Sequence, residues 1–262
     1  MNSTRITYNE RMIEIEDYYN ALFYHDALGQ ISVDVAEANG VSVELAEKYK
    51  SDVFIKISKA NALIMIYNLV ESTVTNGIEE IYDKVKLSGA TYSTVRKEIQ
   101  EIWFSYKFGQ VHRQPEANYK SYKSKAFDIV AAILDGEIME LNSNALPING
   151  NMDASQIFKI CNSHGIKFIP DKACKGGGRL ADVKDKRNWL SHGNLSFTEC
   201  GREYSLEDLV EIKEQTYVFL TGLLAEMGEY YANEDYRTEI GFQQPRGNTA
   251  YYFCRKQRGG NP

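Results

Sequence analysis

Cysteine, proline and long apolar runs are all scarce in this chain of 262 residues, and each shortage closes off a class of protein. The four cysteines, Cys161, Cys174, Cys200 and Cys254, stand 13, 26 and 54 residues apart with no Cys-x-x-Cys pair. That spacing suits neither a zinc site nor a disulfide framework, and it fits a reducing, cytoplasmic compartment. Cys161 and His164 lie three residues apart, but no second ligand pair and no His-Glu-x-x-His accompanies them, so neither a metal nor another cofactor is expected. A Gly-x-Ser-x-Gly elbow and a phosphate-binding loop ending in Lys-Ser/Thr are missing as well. None of the 5 prolines precedes Pro115, which frees the first part of the chain from the strongest helix breaker. A basic surplus is lacking: 30 Lys and Arg face 36 Asp and Glu, a net charge of −6, so any nucleic-acid contact has to come from a local patch. Residues 1–20 carry charges throughout, and Ala60–Met65 and Val218–Ala225 are short apolar islands; neither an export signal nor a bilayer span is expected.

What the sequence does contain is helical periodicity. Met12, Ile15, Tyr18, Tyr19, Leu22 and Phe23 mark a first helix from Asn9 to about Leu28, with Gly29 as its stop. Ile31–Val43 reads two ways, since Ile31, Val33 and Val35 alternate like a strand while Val43, Leu45 and Tyr49 begin another helical stripe. Asp52–Tyr82 carries the longest apolar face and is predicted to be the central helix, with a bend or break near Gly77. Thr91–Phe104 predicts a shorter helix, and residues 107–150 read as an insertion holding a short helix, Lys125–Met139. Asp153 caps a helix running to Ser163, which Gly165 ends in a left-handed turn. A loop, Ile166–Gly178, leads to helical spacing at Leu180, Val183, Arg187 and Leu190 that stops at Gly193. After a further loop, Ser205 and Asp208 cap a long closing helix marked by Leu206 to Met227. The expectation is an all-α bundle in one domain, residues 1–236, with no internal repeat and with 237–262 as a tail or small hairpin.

The run Arg187-Asn188-Trp189-Leu190-Ser191-His192-Gly193 is where chemistry concentrates. Five residues apart on a helix, Arg187 and His192 point about 140° away from each other and do not stack. They converge on one cleft only if His192 sits in the last turn, where Gly193 lets the chain swing; Asn188 can share that cleft, and Trp189 and Leu190 then anchor the helix in the core. An imidazole beside a guanidinium without a metal cluster suits phosphodiester cleavage, with His relaying a proton and Arg holding the charge on phosphorus. The plain alternative is a terminal-turn His bonded to a carbonyl and a surface Arg paired with Asp182 or Asp185.

Arg187-x4-His192, with Asn188 directly after the Arg and a small residue after the His, resembles the signature of the HEPN superfamily. Ala60, Leu63 and the run Ile66–Thr73 are similar to the second-helix motif of the MAE-like HEPN branch found near bacterial defence and mobile-element genes, and 151–165 and 187–231 resemble its later parts. The resemblance implies a helical, usually dimeric fold and a metal-independent ribonuclease, a toxin or antiviral effector that an antitoxin or defence-system partner controls. It places the Arg/His helices of two protomers face to face around one cleft. There His192 is general base or acid, Arg187 holds the scissile phosphate and Asn188 orients phosphate or His192, leaving 2′,3′-cyclic phosphate and 5′-OH ends. HEPN folds also include silent modules that dimerise and bind RNA, nucleotide or protein.

Glu71 interrupts the most apolar helix, with Asn68 one turn earlier, and is either a supporting carboxylate for Arg187 or His192 or a solvent-facing residue. The RNA-binding candidates are Lys167, Lys172, Lys175, Arg179, Lys184 and Lys186, which with Arg187 outnumber Asp171, Asp182 and Asp185. Amides of Gly176–Gly178 form either an anion nest or a flexible connector. Residues 107–125 offer a second basic stretch, with Tyr119 and Tyr122 for stacking on bases. His25, His112 and His164 read as ordinary surface or capping residues.

Overall fold

The computed structural model describes residues 1–40, 52–112, 118–145 and 151–238. The tail beyond Thr238, with Cys254, and the stretches holding Val43–Tyr49 and Arg113 lie outside them. Eight α-helices are described: α1 (Asn2–Ala38), α2 (Asp52–Leu87), α3 (Lys97–His112), α4 (Tyr119–Leu134), α5 (Ala154–His164), α6 (Arg179–Ser191), α7 (Phe197–Arg202) and α8 (Leu206–Asn233). Among the described residues there is no strand, only isolated bridges such as Val95 with Arg237.

Helix α2 is the centre, packed against α1, α6, α7 and α8, while α3 packs against α4 and α5. By length and composition alone α2 could cross a membrane, contrary to the expectation that no window would. Its apolar face is instead spent inside the bundle, where Leu63, Ile66, Val70, Val74, Ile78 and Ile81 are buried. The helix is unbroken at Gly77, and this glycine serves packing: a Cβ there would come within 2.7 Å of Met227 Cε on α8. Gly201 is used more stringently. A Cβ at that position would overlap the Lys56 carbonyl, so α7 lies directly on the backbone of α2.

Local caps set the boundaries near the site. Asp153 accepts from Gln156 N at 2.9 Å to start α5, and Gly165 ends it at φ 72°. Ser205 and Asp208 cap α8 reciprocally, at 3.0 and 2.9 Å. A second capping box, Ser196 with Glu199, builds α7 where only a loop was expected. Helix α1 runs through Gly29 to Ala38, which resolves the two-way reading of its end, as far as Ala38, as helix; an isolated glycine costs a helix about 1 kcal/mol and does not end this one. Helix α4 starts earlier than expected because Asn118 accepts from Lys120 N and Ser121 N, and α3 extends past Phe104 to His112.

Two buried polar groupings tie the helices together. Lys213 on α8 reaches Glu16 on α1 at 2.6 and 2.7 Å and lies over the ring of Tyr19. His164 is 1% exposed and bonds Tyr82 Oη at 2.8 Å and the Ile160 carbonyl at 2.7 Å. A carbonyl can only accept, so Nδ1 carries the proton and Nε2 accepts from Tyr82.

Candidate nucleic-acid cleavage site

Helix α6 carries the site because one of its sides is fixed by burial. Leu180, Val183, Lys186 and Leu190 face the interior, which turns Arg187 and Asn188 toward the edge of α2 and leaves His192 at the helix end. The Arg187 guanidinium lies 4.7 Å from the centre of the Tyr67 ring on α2. It also donates to Asn188 Oδ1 at 3.1 Å, and Asn188 Nδ2 donates to Asn151 Oδ1 at 2.7 Å. Two sequence candidates and two unforeseen partners, Tyr67 and Asn151, are thus joined from three separate parts of the chain.

Tyr67 is 1% exposed and its hydroxyl is engaged on both sides. It accepts from Met152 N at 3.2 Å and donates to Glu71 Oε1 at 3.4 Å, the long end of a hydrogen bond. Burial is the main cause that raises the Tyr67 pKa, opposed by the Met152 amide and by Arg187. The phenol therefore stays neutral through the physiological range. Glu71 is half-buried rather than solvent-facing, and the bond it accepts from Tyr67 links it to the guanidinium through the ring. Asn68, one turn away, is exposed.

His192 occupies the C-cap of α6. Its amide donates to Asn188 O at 3.0 Å, Gly193 turns left-handed at φ 71°, and Asn194 N donates to Trp189 O at 2.9 Å, closing the helix end. The imidazole is exposed and makes no side-chain hydrogen bond among the described residues. A histidine so placed is available for proton transfer. Of the acids proposed to neutralise Arg187, Asp182 meets Arg179 at 3.4 Å and Asp185 meets Lys184 at 3.3 Å.

The basic candidates separate into different surroundings. Lys186 is 9% exposed, ion-paired to Glu203, and lies 4.7 Å from the centre of the Trp189 ring. Lys184 pairs with Asp153 at 2.9 Å, Lys175 with Glu211 at 2.6 Å, and Arg179 with Asp182 and, at 3.8 Å, Glu211. Lys172 is exposed with no ion pair among the described residues, and Lys167 lines a groove of about 690 Å³ together with Glu226, Glu229 and Glu234. The glycines at 176–178 are not a slack connector: Lys175, Gly176 and Gly177 all take positive φ, and a Cβ on Gly177 would come within 2.7 Å of Phe219. The expected burial of Trp189 is overturned. The residue is 46% exposed, because Lys186 and Leu190 take the inward positions of α6.

Among the described residues no group of three or more His, Cys, Asp and Glu side chains is placed to hold a metal. Burial pushes the Cys161 thiol up to about 12, so it stays protonated beside the fully engaged His164. A family model described as MAE_28990-like HEPN matches residues 9–236, a span that contains every one of these contacts. The chain belongs to the HEPN family. No curated protein and no solved structure matches it significantly. In this HEPN chain the signature helix is α6, and the second-helix motif supplies Tyr67 and Glu71 beneath it. Tyr67 carried a detectable signal, since it stands one helical turn before Glu71 and on the same side; Asn151 carried none, as only the folded chain brings it to Asn188.

Proposed function

We propose that this HEPN chain is a metal-independent endoribonuclease. The observation that carries the reading is the Arg187 guanidinium, laid on the Tyr67 ring and bonded to Asn188, on the same helix whose exposed end presents an uncommitted His192. A guanidinium is a planar, permanently charged donor suited to phosphate oxygens. Attack by the ribose 2′-oxygen on phosphorus forms the cyclic ester as the bond to the 5′-oxygen breaks. The 2′ proton goes to a base and the leaving 5′-oxygen takes a proton from an acid. One imidazole cannot do both at the same moment, so two copies of His192, brought together in a homodimer with a shared cleft, fill both roles. Arg187 stabilises the charge gathering on phosphorus, Asn188 orients the phosphate or the imidazole, and Glu71 supports the array through Tyr67. The ends are 2′,3′-cyclic phosphate and 5′-OH.

Lys172, with the ion-paired Lys175, Arg179 and Lys184, guides the RNA backbone, and Lys167 extends that path. The setting is a cytoplasmic toxin or antiviral effector held in check by an antitoxin or defence-system partner. A second reading, a silent HEPN module that binds RNA or protein, draws on the neutralisation of most of the basic loop by Glu211, Asp153 and Glu203. The test is a strand with a single 2′-deoxy substitution at the cleaved nucleotide. A cyclising nuclease binds it as well as the parent and leaves it uncut, whereas cutting at that nucleotide contradicts the mechanism.

A further inference from the structure

Trp189 is the residue of α6 that neither the fold nor the proposed chemistry uses. It is 46% exposed, whereas the other tryptophan, Trp103, is 4% exposed. On the helix surface its neighbours are Asp185 and Lys186 one turn before and His192 and Gly193 one turn after. The ammonium of Lys186 lies over the indole, 4.7 Å from its centre, and is itself tied to Glu203. The ring thus carries a tethered cation while the residue as a whole stays exposed. Its helical neighbours are polar, which is not the contiguous apolar patch that a protein contact of useful area needs. A planar group with polar edges matches a lone indole in a polar frame.

We infer that Trp189 is a stacking platform for an unpaired nucleobase of the RNA, on the side of α6 that leads to His192 rather than the side of Arg187. The inference rests on the ribonuclease reading for the identity of the strand, but not on catalysis. His192 follows Trp189 by three residues, the spacing of neighbours along one side of a helix, and stands at the C-cap of α6. A base seated on the indole fixes the register of the strand relative to His192. Because every base offers a π face, the platform selects single-stranded over paired nucleotides rather than one sequence. Lys186 acts here through Trp189, holding the ring rather than touching phosphate.

The experiment uses strands that cannot be cut: a labelled 2′-O-methyl oligoadenosine, and an abasic sugar–phosphate strand of the same length and charge. Affinities are measured by fluorescence anisotropy for the wild type, Trp189→Ala and Trp189→Phe, each checked for unchanged thermal unfolding and for sedimentation. The wild type is expected to favour the base-bearing strand about tenfold, Trp189→Ala to lose that preference, and Trp189→Phe to keep most of it. Retention of the preference by Trp189→Ala overturns the platform, as does wild-type binding that ignores bases or no binding at all. Dissociation of a dimer in Trp189→Ala with the base preference intact also overturns it and makes the indole a protein contact. Cleavage of unmodified RNA is scored separately: base preference lost in Trp189→Ala without any wild-type cleavage supports the platform while the nuclease reading falls, and His192-dependent cleavage with the preference untouched does the reverse.

Discussion

Arg187 rests on the face of Tyr67, 4.7 Å from the ring centre, and that contact joins the signature helix to the central one. A cation on an aromatic face gains about 0.5–2 kcal/mol depending on its exposure, and here it also loses freedom to leave the site. Replacing Tyr67 with Leu is expected to lower the turnover of RNA cleavage about tenfold with a smaller change in KM. Tyr67→Phe keeps the ring and stays within about threefold, although it gives up the bonds to Glu71 and Met152 N. Steady-state kinetics on a short RNA separate the two, and equal loss in both variants would show that the hydroxyl rather than the stack matters.

Gly201 makes the sharpest steric demand near the site. Its missing side chain lets α7 rest on the Lys56 carbonyl, a backbone atom that cannot turn aside. Gly201→Ala is therefore expected to lower stability by about 3 kcal/mol or to prevent folding. Gly109 in α3 offers the control, because nothing lies within 4 Å of a Cβ built there. Gly109→Ala should be neutral or stabilise by up to about 1 kcal/mol. Denaturant unfolding of both variants, at matched slope, checks the pair.

His164 gives the fold a pH dependence of known sign. Burial lowers its pKa from 6.5 to about 4, partly offset by the Ile160 carbonyl. Between those values the unfolded chain binds a proton that the folded chain refuses. Stability from this group is thus complete above about pH 6.5 and is lost as pH falls toward about 4, by roughly 3 kcal/mol over the window. Unfolding free energies measured across that range should fall with acid in the wild type and show a shallower slope in His164→Gln. An identical slope in both proteins would place the acid sensitivity elsewhere.

What could be read from the sequence follows the range of the interaction. Asp153 with Gly165, and Ser205 with Asp208, are signals contained within one helix, and the structure forms both as the residues dictate. Gly29 predicts a stop for α1, whereas the helix continues to Ala38: a lone glycine costs a helix about 1 kcal/mol, too little to fix its end. Hydrophobicity predicts Trp189 in the core, yet Lys186 holds an inward position by pairing with Glu203, the C-cap residue of α7, a helix that stands where the sequence predicts a loop. The candidate pair Arg187 and Asn188 was visible in the motif, but their partners Tyr67 and Asn151 come from distant segments that only tertiary packing brings together.

The central claim is tested most directly by incubating purified protein with mixed single-stranded and structured RNA in excess EDTA, alongside Arg187→Ala and His192→Ala. The account predicts cleavage by the wild type with 2′,3′-cyclic phosphate ends, and its loss in both variants while their folding is unchanged. Cleavage that survives His192→Ala, or RNA that is bound and left intact by the wild type, would contradict it.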